Sequence, residues 1–269
     1  MSEIKEIYAN YADKIFSKRY QSPYPLRRYA HQKEYESILK FVEPDTKVLD
    51  AGCGEGVLSI LMAQKGAEVI GCDISGPNIA AAEILARQNQ LTSIKFLVAD
   101  AENLPFADNY FDLVISCHVL EHLPDFQKGL AQIRRVAKKQ AIIALPTCLN
   151  LCAACLLGGD NFWRISKRTI YSLPWGLLRI IFNLGKAGVN EAYVGKEELP
   201  HLWRYPWVMR RQIKKAGFRI IHFEASSLCL PYFSFLLPLV KFFDRFKDKP
   251  LIRNFGYGSF AVVEKVQIF

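Results

Sequence analysis

The sequence predicts an α/β protein: a seven-stranded, mostly parallel sheet with one antiparallel edge strand, helices on both faces, and lid inserts. Three observations predict it. From position 45 onward, short and nearly continuous apolar runs alternate with helix-like segments, the pattern of a parallel sheet covered on both faces. The first of these runs ends in closely spaced glycines that lead directly into a helix. The last two runs have no helical pattern between them, which implies an antiparallel return at one edge.

The elements follow in order. Residues 47–50 (KVLD) are a β-rich run that stops at glycine, and residues 57–65 set Leu58, Leu61 and Met62 on one helical face, with Gly66 as a stop. Residues 67–73 (AEVIGCD) read as the second strand. Pro77 then opens a helix, IAAAEILARQ, rich in strong helix formers. Residues 94–100 (IKFLVAD), 111–117 (FDLVISC) and 141–146 (AIIALP) are three further strands, with DFQKGLAQIRRVAKK as a helix between the last two. The alternation breaks at Thr147. It resumes with a helix over 206–216, its stop at Gly217, a strand over 218–225 (FRIIHFEA) and a final strand over 259–265 (SFAVVEK). The expected organisation is one domain over 1–269: an N-terminal helical cap (1–44), a ligand-binding core (45–146), an apolar and basic lid insert (147–205), and a C-terminal part (206–269) with a second insert (228–257).

Composition narrows the class. Half the residues are apolar, 51%, so a full core is available and global disorder is excluded. Residues 1–159 carry 17 Lys and Arg against 18 Asp and Glu, whereas residues 160–269 carry 18 against 8. The whole positive excess therefore lies in the C-terminal part, which favours an anionic partner. Seven cysteines, an odd number mostly inside apolar runs, fit reduced thiols and a cytoplasmic protein better than a disulfide framework. The opening MSEIKEIYANYADKIF reads as a mixed polar helix rather than a cleavable leader. The longest apolar stretch, 228–243 (LCLPYFSFLLPLVKFF), contains two prolines and Lys241 and is shorter than the roughly 20 residues a spanning helix needs. Lying at a membrane interface stays open for it.

The chemistry gathers at the strand ends. After the first strand comes Asp50-Ala51-Gly52-Cys53-Gly54-Glu55-Gly56, where alternate glycines let a ligand approach backbone and the following helix offers unpaired N–H groups. The second strand ends in Asp73, placed to accept both hydroxyl protons of a ribose, and the third in Asp100. A nicotinamide cofactor would call for G-x-G-x-x-G, but the spacing here is G-x-G-x-G. The triplet Cys148-x3-Cys152-x2-Cys155 has the spacing of an iron–sulfur ligand set. It lies in a Leu/Ala-rich run with no aromatic before the last cysteine, so buried thiols are expected and no metal site.

Taken in order, VLDAGCGEG, CDIS, VADAENLPF and FDLVISCHVLEHL resemble the successive motifs of class I S-adenosylmethionine-dependent methyltransferases of the methyltransferase 11 type, over roughly 48–125. The resemblance implies a Rossmann-like core with S-adenosyl-L-methionine as cofactor and S-adenosyl-L-homocysteine as product. It implies that Asp50, Gly52, Cys53, Gly54 and Gly56 surround the methionine portion, with Asp50 near the ammonium. Asp73 would bind the ribose, Ile74 would lie against the adenine, and Asp100 and Ala101 would meet its edge. Cys117 and His118 would line the floor near the methyl. His118 is the candidate catalytic base and His122 is expected to pack or cap. Tyr11 and Arg28 of the cap are candidates to reach or cover the cofactor.

The two inserts are rich in Leu, Ile, Phe and Trp and flanked by Lys and Arg, which suits a hydrophobic or lipid-like small-molecule acceptor, or one met at an anionic membrane surface. The N/D-P-P-Y/F motif of many amino-group methyltransferases is absent, with ISCH in its place, which disfavours a nucleobase amine; nucleic acid is the weaker partner. Methylation of a polar metabolite or of RNA or protein, and a non-catalytic cofactor-binding protein, remain the alternatives. The oligomeric state is not readable.

Overall fold

A computed structural model describes residues 3–11, 16–191 and 201–266. Its main sheet holds β1 (Lys47–Ala51), β2 (Glu68–Asp73), β3 (Ile94–Val98), β4 (Phe111–Cys117), β5 (Ala137–Pro146), β8 (Phe218–Ala225) and β9 (Gly258–Lys265), in the order β3-β2-β1-β4-β5-β9-β8. Strands β1 to β5 are all parallel, and β9 runs antiparallel to both β5 and β8. The expected antiparallel return is thus the β8–β9 pair, and the reversed strand lies one position in from the edge. Strands β6 (Gly188–Asn190) and β7 (Leu202–Arg204) form a separate small antiparallel pair.

Alternate residues of each strand feed two cores. On one face Val48, Leu113, Ile115, Ile142 and Val262 pack against Ile38 of α2 (Pro25–Leu39) and Leu58 and Met62 of α3 (Val57–Gln64). On the other face Leu49, Val114, Ile143 and Val263 meet α5 (Phe126–Val136) and α8 (Pro206–Lys215). Helix α4 (Gly76–Gln88) begins at a Ser75 cap that accepts from the Asn78 N–H. In α5 the buried residues Phe126, Leu130, Ile133 and Val136 recur at helical spacing, and Asp125 caps it through the Gln127 and Lys128 N–H groups. The helix expected to run on through Lys138 and Lys139 stops at Val136. Ala137 turns extended and pairs with Phe111, so both lysines open β5 as exposed strand residues.

The inserts have structure of their own. Helix α6 (Leu151–Leu157) crosses α7 (Thr169–Phe182) at contact distance: a Cβ on Gly176 would lie 1.8 Å from the Ala154 carbonyl oxygen, and one on Gly158 1.8 Å from that of Ser172. The second insert carries α9 (Leu237–Phe243). One apolar cluster ties both inserts to the N-terminal part: Leu26, Cys152, Cys155, Phe162 and Cys229, with Tyr232 and Leu237 beside them. Cys148 belongs to a different cluster, with Trp203 and Tyr205. Among the described residues the groups of ligand atoms close enough to share an ion do not include this cysteine triplet. No helix among them is long and apolar enough to cross a membrane.

Replacing Gly176 by Val drives a side chain into the α6 backbone. The expected cost is about 1–3 kcal/mol, as for other overpacked sites, read as a lower urea midpoint with an unchanged slope.

Candidate active site

Because the chain leaves β1 toward β2 on one side and reaches β4 on the other, a crevice opens at the C-terminal ends of these strands. The loop after β1 floors it. Gly52, Gly54 and Gly56 have φ of 87°, 53° and 75°, the left-handed region that favours glycine. The Gly52 and Cys53 N–H groups donate to the Cys72 carbonyl at 2.7 and 2.9 Å, pinning the loop to β2. A Cβ on Gly52 would come within 2.1 Å of Val119, so the β1 and β4 loops meet with no room for a side chain.

The expected residues converge. Asp50, Gly52, Cys53, Gly54, Asp73, Ile74, Asp100, Ala101, Cys117 and His118 line one pocket. Gly56 does not; it caps α3 and packs against Ala82 and Phe96. Tyr11 lines the pocket, and its carbonyl accepts from Ser75 Oγ at 2.6 Å. Arg28 is turned away, donating to the Ser22 carbonyl at 2.5 Å.

The carboxylates differ in their surroundings. Asp50 is 2% exposed and accepts from Ser59 Oγ at 2.5 Å. Burial lifts its pKa to about 6 against that hydrogen bond, helped by the charge of Asp73. Asp73 accepts from the Gly54 and Ser75 N–H groups, each at 2.9 Å, and burial raises its pKa too. Asp100 is bridged by Lys5 Nζ at 2.6 Å, which also reaches Glu102 at 2.6 Å.

His118 stands at φ 57°, an uncommon backbone for a histidine. Its Nε2 is 2.8 Å from Glu34 Oε2 and its Nδ1 is 3.3 Å from Glu121 Oε1. Burial opposes the imidazolium, but Glu34 and Glu121 together outweigh it and lift the pKa to about 10. Burial likewise opposes the Glu121 charge, yet His118, with His122 and His201, holds it near 2. His118 is therefore a cation at neutral pH and a hydrogen-bond donor, a different state from the free base expected of it. His122, expected only to pack, lines the pocket, with Nδ1 hydrogen-bonded to Tyr8 Oη at 2.7 Å. Burial keeps it neutral, with a pKa pushed down to about 4.

Lys5, Tyr8 and Glu34 complete the pocket without any motif. Glu34 alone left a trace: it falls on the buried stripe of α2 with Leu26, Ala30 and Ile38, where a carboxylate requires a partner.

Comparison with known proteins follows this geometry. Residues 49–145 match the family model described as a methyltransferase domain, of the methyltransferase 11 group. Over residues 49–145 the chain is thus similar to class I S-adenosylmethionine-dependent methyltransferases. A ubiquinone biosynthesis O-methyltransferase of Cereibacter sphaeroides is 40% identical over 101 residues, 38% of this chain and 40% of that protein. A demethylmenaquinone methyltransferase of Corynebacterium efficiens is 35% identical over 97 residues, 36% of this chain and 39% of that one. The chain thus spans less than half the length of these curated relatives. The fold extends further. A solved Pyrococcus horikoshii protein superposes with a TM-score of 0.60 at 21% identity, covering 99% of this chain and 100% of that one.

The His118 pair sets a pH window. The folded His118 pKa lies above its unfolded value of about 6.5, so its contribution to stability is complete below that value and lost as pH rises through about 10. Glu121 is shifted the other way: its contribution holds above about 4.5 and is lost as pH falls through about 2. Urea denaturation across pH should show the alkaline loss in the wild type and a flatter limb in His118→Gln. Parallel curves would refute the ion pair.

Proposed function

We propose that this protein transfers a methyl group from S-adenosylmethionine to a hydroxyl of a lipid-like acceptor of the quinone class, met at an anionic membrane surface. The observation that carries the reading is the outer face of the two inserts. Ile170, Phe182, Phe235 and Leu251 are 86%, 78%, 73% and 81% exposed, and Tyr171, Trp175, Leu178 and Phe242 are also exposed. An apolar groove joins the two patches, with Leu177 and Ile181 of α7 facing Leu239 and Phe243 of α9. Exposed Arg164, Lys167, Arg168, Lys186, Lys241 and Arg245 stand in the same segments. Contiguous apolar surface with cations beside it suits the boundary between acyl chains and acidic headgroups. The names of the two curated relatives, a ubiquinone biosynthesis O-methyltransferase and a demethylmenaquinone methyltransferase, point the same way.

The pocket fits the cofactor. A buried Asp50 carboxylate met by the hydroxyl and backbone N–H of Ser59 but by no cation is driven toward its neutral form, and an arriving ammonium would restore its charge. Gly52 and Gly54, both left-handed, turn the loop so that its backbone lines the pocket. In this reading Asp50 holds the ammonium, Asp73 the ribose hydroxyls, Ile74 and Ala101 the adenine, and Cys117 and His118 the floor beside the methyl. S-adenosylmethionine, when bound, supplies a methyl already activated on a sulfonium. The chain's own task is positioning: the pocket orients the acceptor oxygen for in-line attack and excludes water. His118, as a donor pinned by Glu34 and Glu121, positions rather than deprotonates.

Asp50→Asn should weaken S-adenosylmethionine binding about 10–100-fold, the worth of one hydrogen bond to a charged group. Wild-type affinity should fall as pH drops below about 6, where Asp50 is protonated before the cofactor arrives. Calorimetry in two buffers of different ionisation enthalpy reads both. For the acceptor, S-adenosylhomocysteine release is measured with prenylated hydroquinones in anionic vesicles. Trp175→Asp with Phe182→Asp should abolish vesicle sedimentation and slow this release while cofactor affinity is unchanged. Turnover that ignores both vesicles and the double variant would sink the lipid reading.

A further inference from the structure

We propose that Glu121, His122 and His201 form a binding site for a divalent transition-metal cation, set into the wall of the methyl-transfer pocket. Glu121 lies in the helical turn Leu120–His122 after β4, and His201 immediately before β7 of the lid, so the site joins core to lid. One ligand atom from each of the three residues lies within 4.8 Å of the others. Glu121 Oε1 is 3.9 Å from His122 Nε2 and 4.0 Å from His201 Nε2. Two ligands with bonds of about 2.1 Å can stand up to about 4.2 Å apart, so one ion can bridge either pair.

Each imidazole turns Nε2 toward Glu121; His122 Nδ1 is hydrogen-bonded to Tyr8 Oη at 2.7 Å, and His201 Nδ1 lies 3.0 Å from Glu191 Oε2, an ion-pair contact without a well-directed hydrogen bond. Glu191 is itself held by the Trp203 indole N–H at 2.7 Å. A carboxylate that fixes the far nitrogen of a histidine is the usual outer support of a metal ligand.

A second observation is independent of the histidines. The Glu121 side chain is wholly buried, and neither carboxylate oxygen has a well-formed hydrogen bond among the described residues. His118 Nδ1, at 3.3 Å, supplies charge to it but poor direction. Buried polar atoms left this way are uncommon and call for an explanation such as a bound ion. Two imidazoles and one carboxylate favour zinc, manganese, iron or cobalt over magnesium or calcium.

His122 also lines the methyl-transfer pocket, so an ion here stands where an acceptor oxygen could approach it. It would polarise that oxygen and lower the pKa of its proton. This use rests on the methyl-transfer reading; the binding site does not.

The test is a titration of the full chain, stripped with chelator, using cobalt(II) as probe and the visible spectrum and thermal midpoint as readouts. One equivalent with a nitrogen–oxygen spectrum, displaced by zinc, is expected. His201→Gln should abolish it while S-adenosylmethionine binding is kept, and Glu191→Gln, which leaves every ligand in place, should lower affinity about 10–100-fold. Three results would overturn the site: no cobalt bound, equal binding by His201→Gln, or thiolate charge-transfer bands that vanish in Cys152→Ala with Cys155→Ala. If the ion binds yet chelator leaves methyl transfer untouched, the catalytic use falls and the site stands. If no acceptor is ever methylated, the titration still decides the site.

Discussion

Everything in this chain that touches chemistry depends on how closely the loop after β1 approaches the loop after β4. At Gly52 that distance leaves no space for even a methyl group against Val119. The approach follows from the sheet order, because β1 lies between β2 and β4 and the chain departs from it in opposite directions. Neighbouring strands are only about 4.8 Å apart. Groups at their C-terminal ends, Asp50, Asp73 and Cys117, are therefore delivered to one pocket by the sheet itself. The side chains need only be of the right kind.

That pocket then has to bear buried charge, and it does so in two ways. Around His118 two carboxylates face one imidazole, Glu34 through a hydrogen bond at 2.8 Å and Glu121 through charge at 3.3 Å. Around Asp50 there is no cation, only the hydroxyl and backbone N–H of Ser59, and its pKa is drawn up to about 6. Breaking a buried pair costs far more than never having formed it. The first arrangement thus fixes the geometry of the β4 loop permanently, including the left-handed backbone of His118. The second leaves Asp50 open to protonation near pH 6.

Much of this was legible in the residues. Strand ends, glycine spacing and the acidic residues that follow lie close together along the chain, so local pattern reveals them, and ten of the eleven residues that the family resemblance implied for the cofactor line one pocket. Gly56 was grouped with them by the same resemblance, yet its left-handed backbone serves the start of α3. The residues that went unread come from far away. Lys5 and Tyr8 reach the site from a short N-terminal helix, and His201 from the end of the first insert, with nothing in their surroundings to mark them. His118 lines the pocket, and its state depends on Glu34, 84 positions earlier, which no local pattern links to it. Arg28 failed for a simpler reason: a backbone carbonyl six residues away satisfies it first.

Helix α7 is turned inside out. It spends its smallest residues, Ser172 and Gly176, with Ile180, on the face that packs against the fold, and keeps Ile170, Trp175, Leu178 and Phe182 for the outside. Its attachment therefore owes little to its bulk, and the outer surface is free to change without disturbing the framework. Packing alone does not call for those apolar residues, so solubility and exposure pull this helix in opposite directions. In water such an oily face tends to be covered, by detergent or by further copies of the chain.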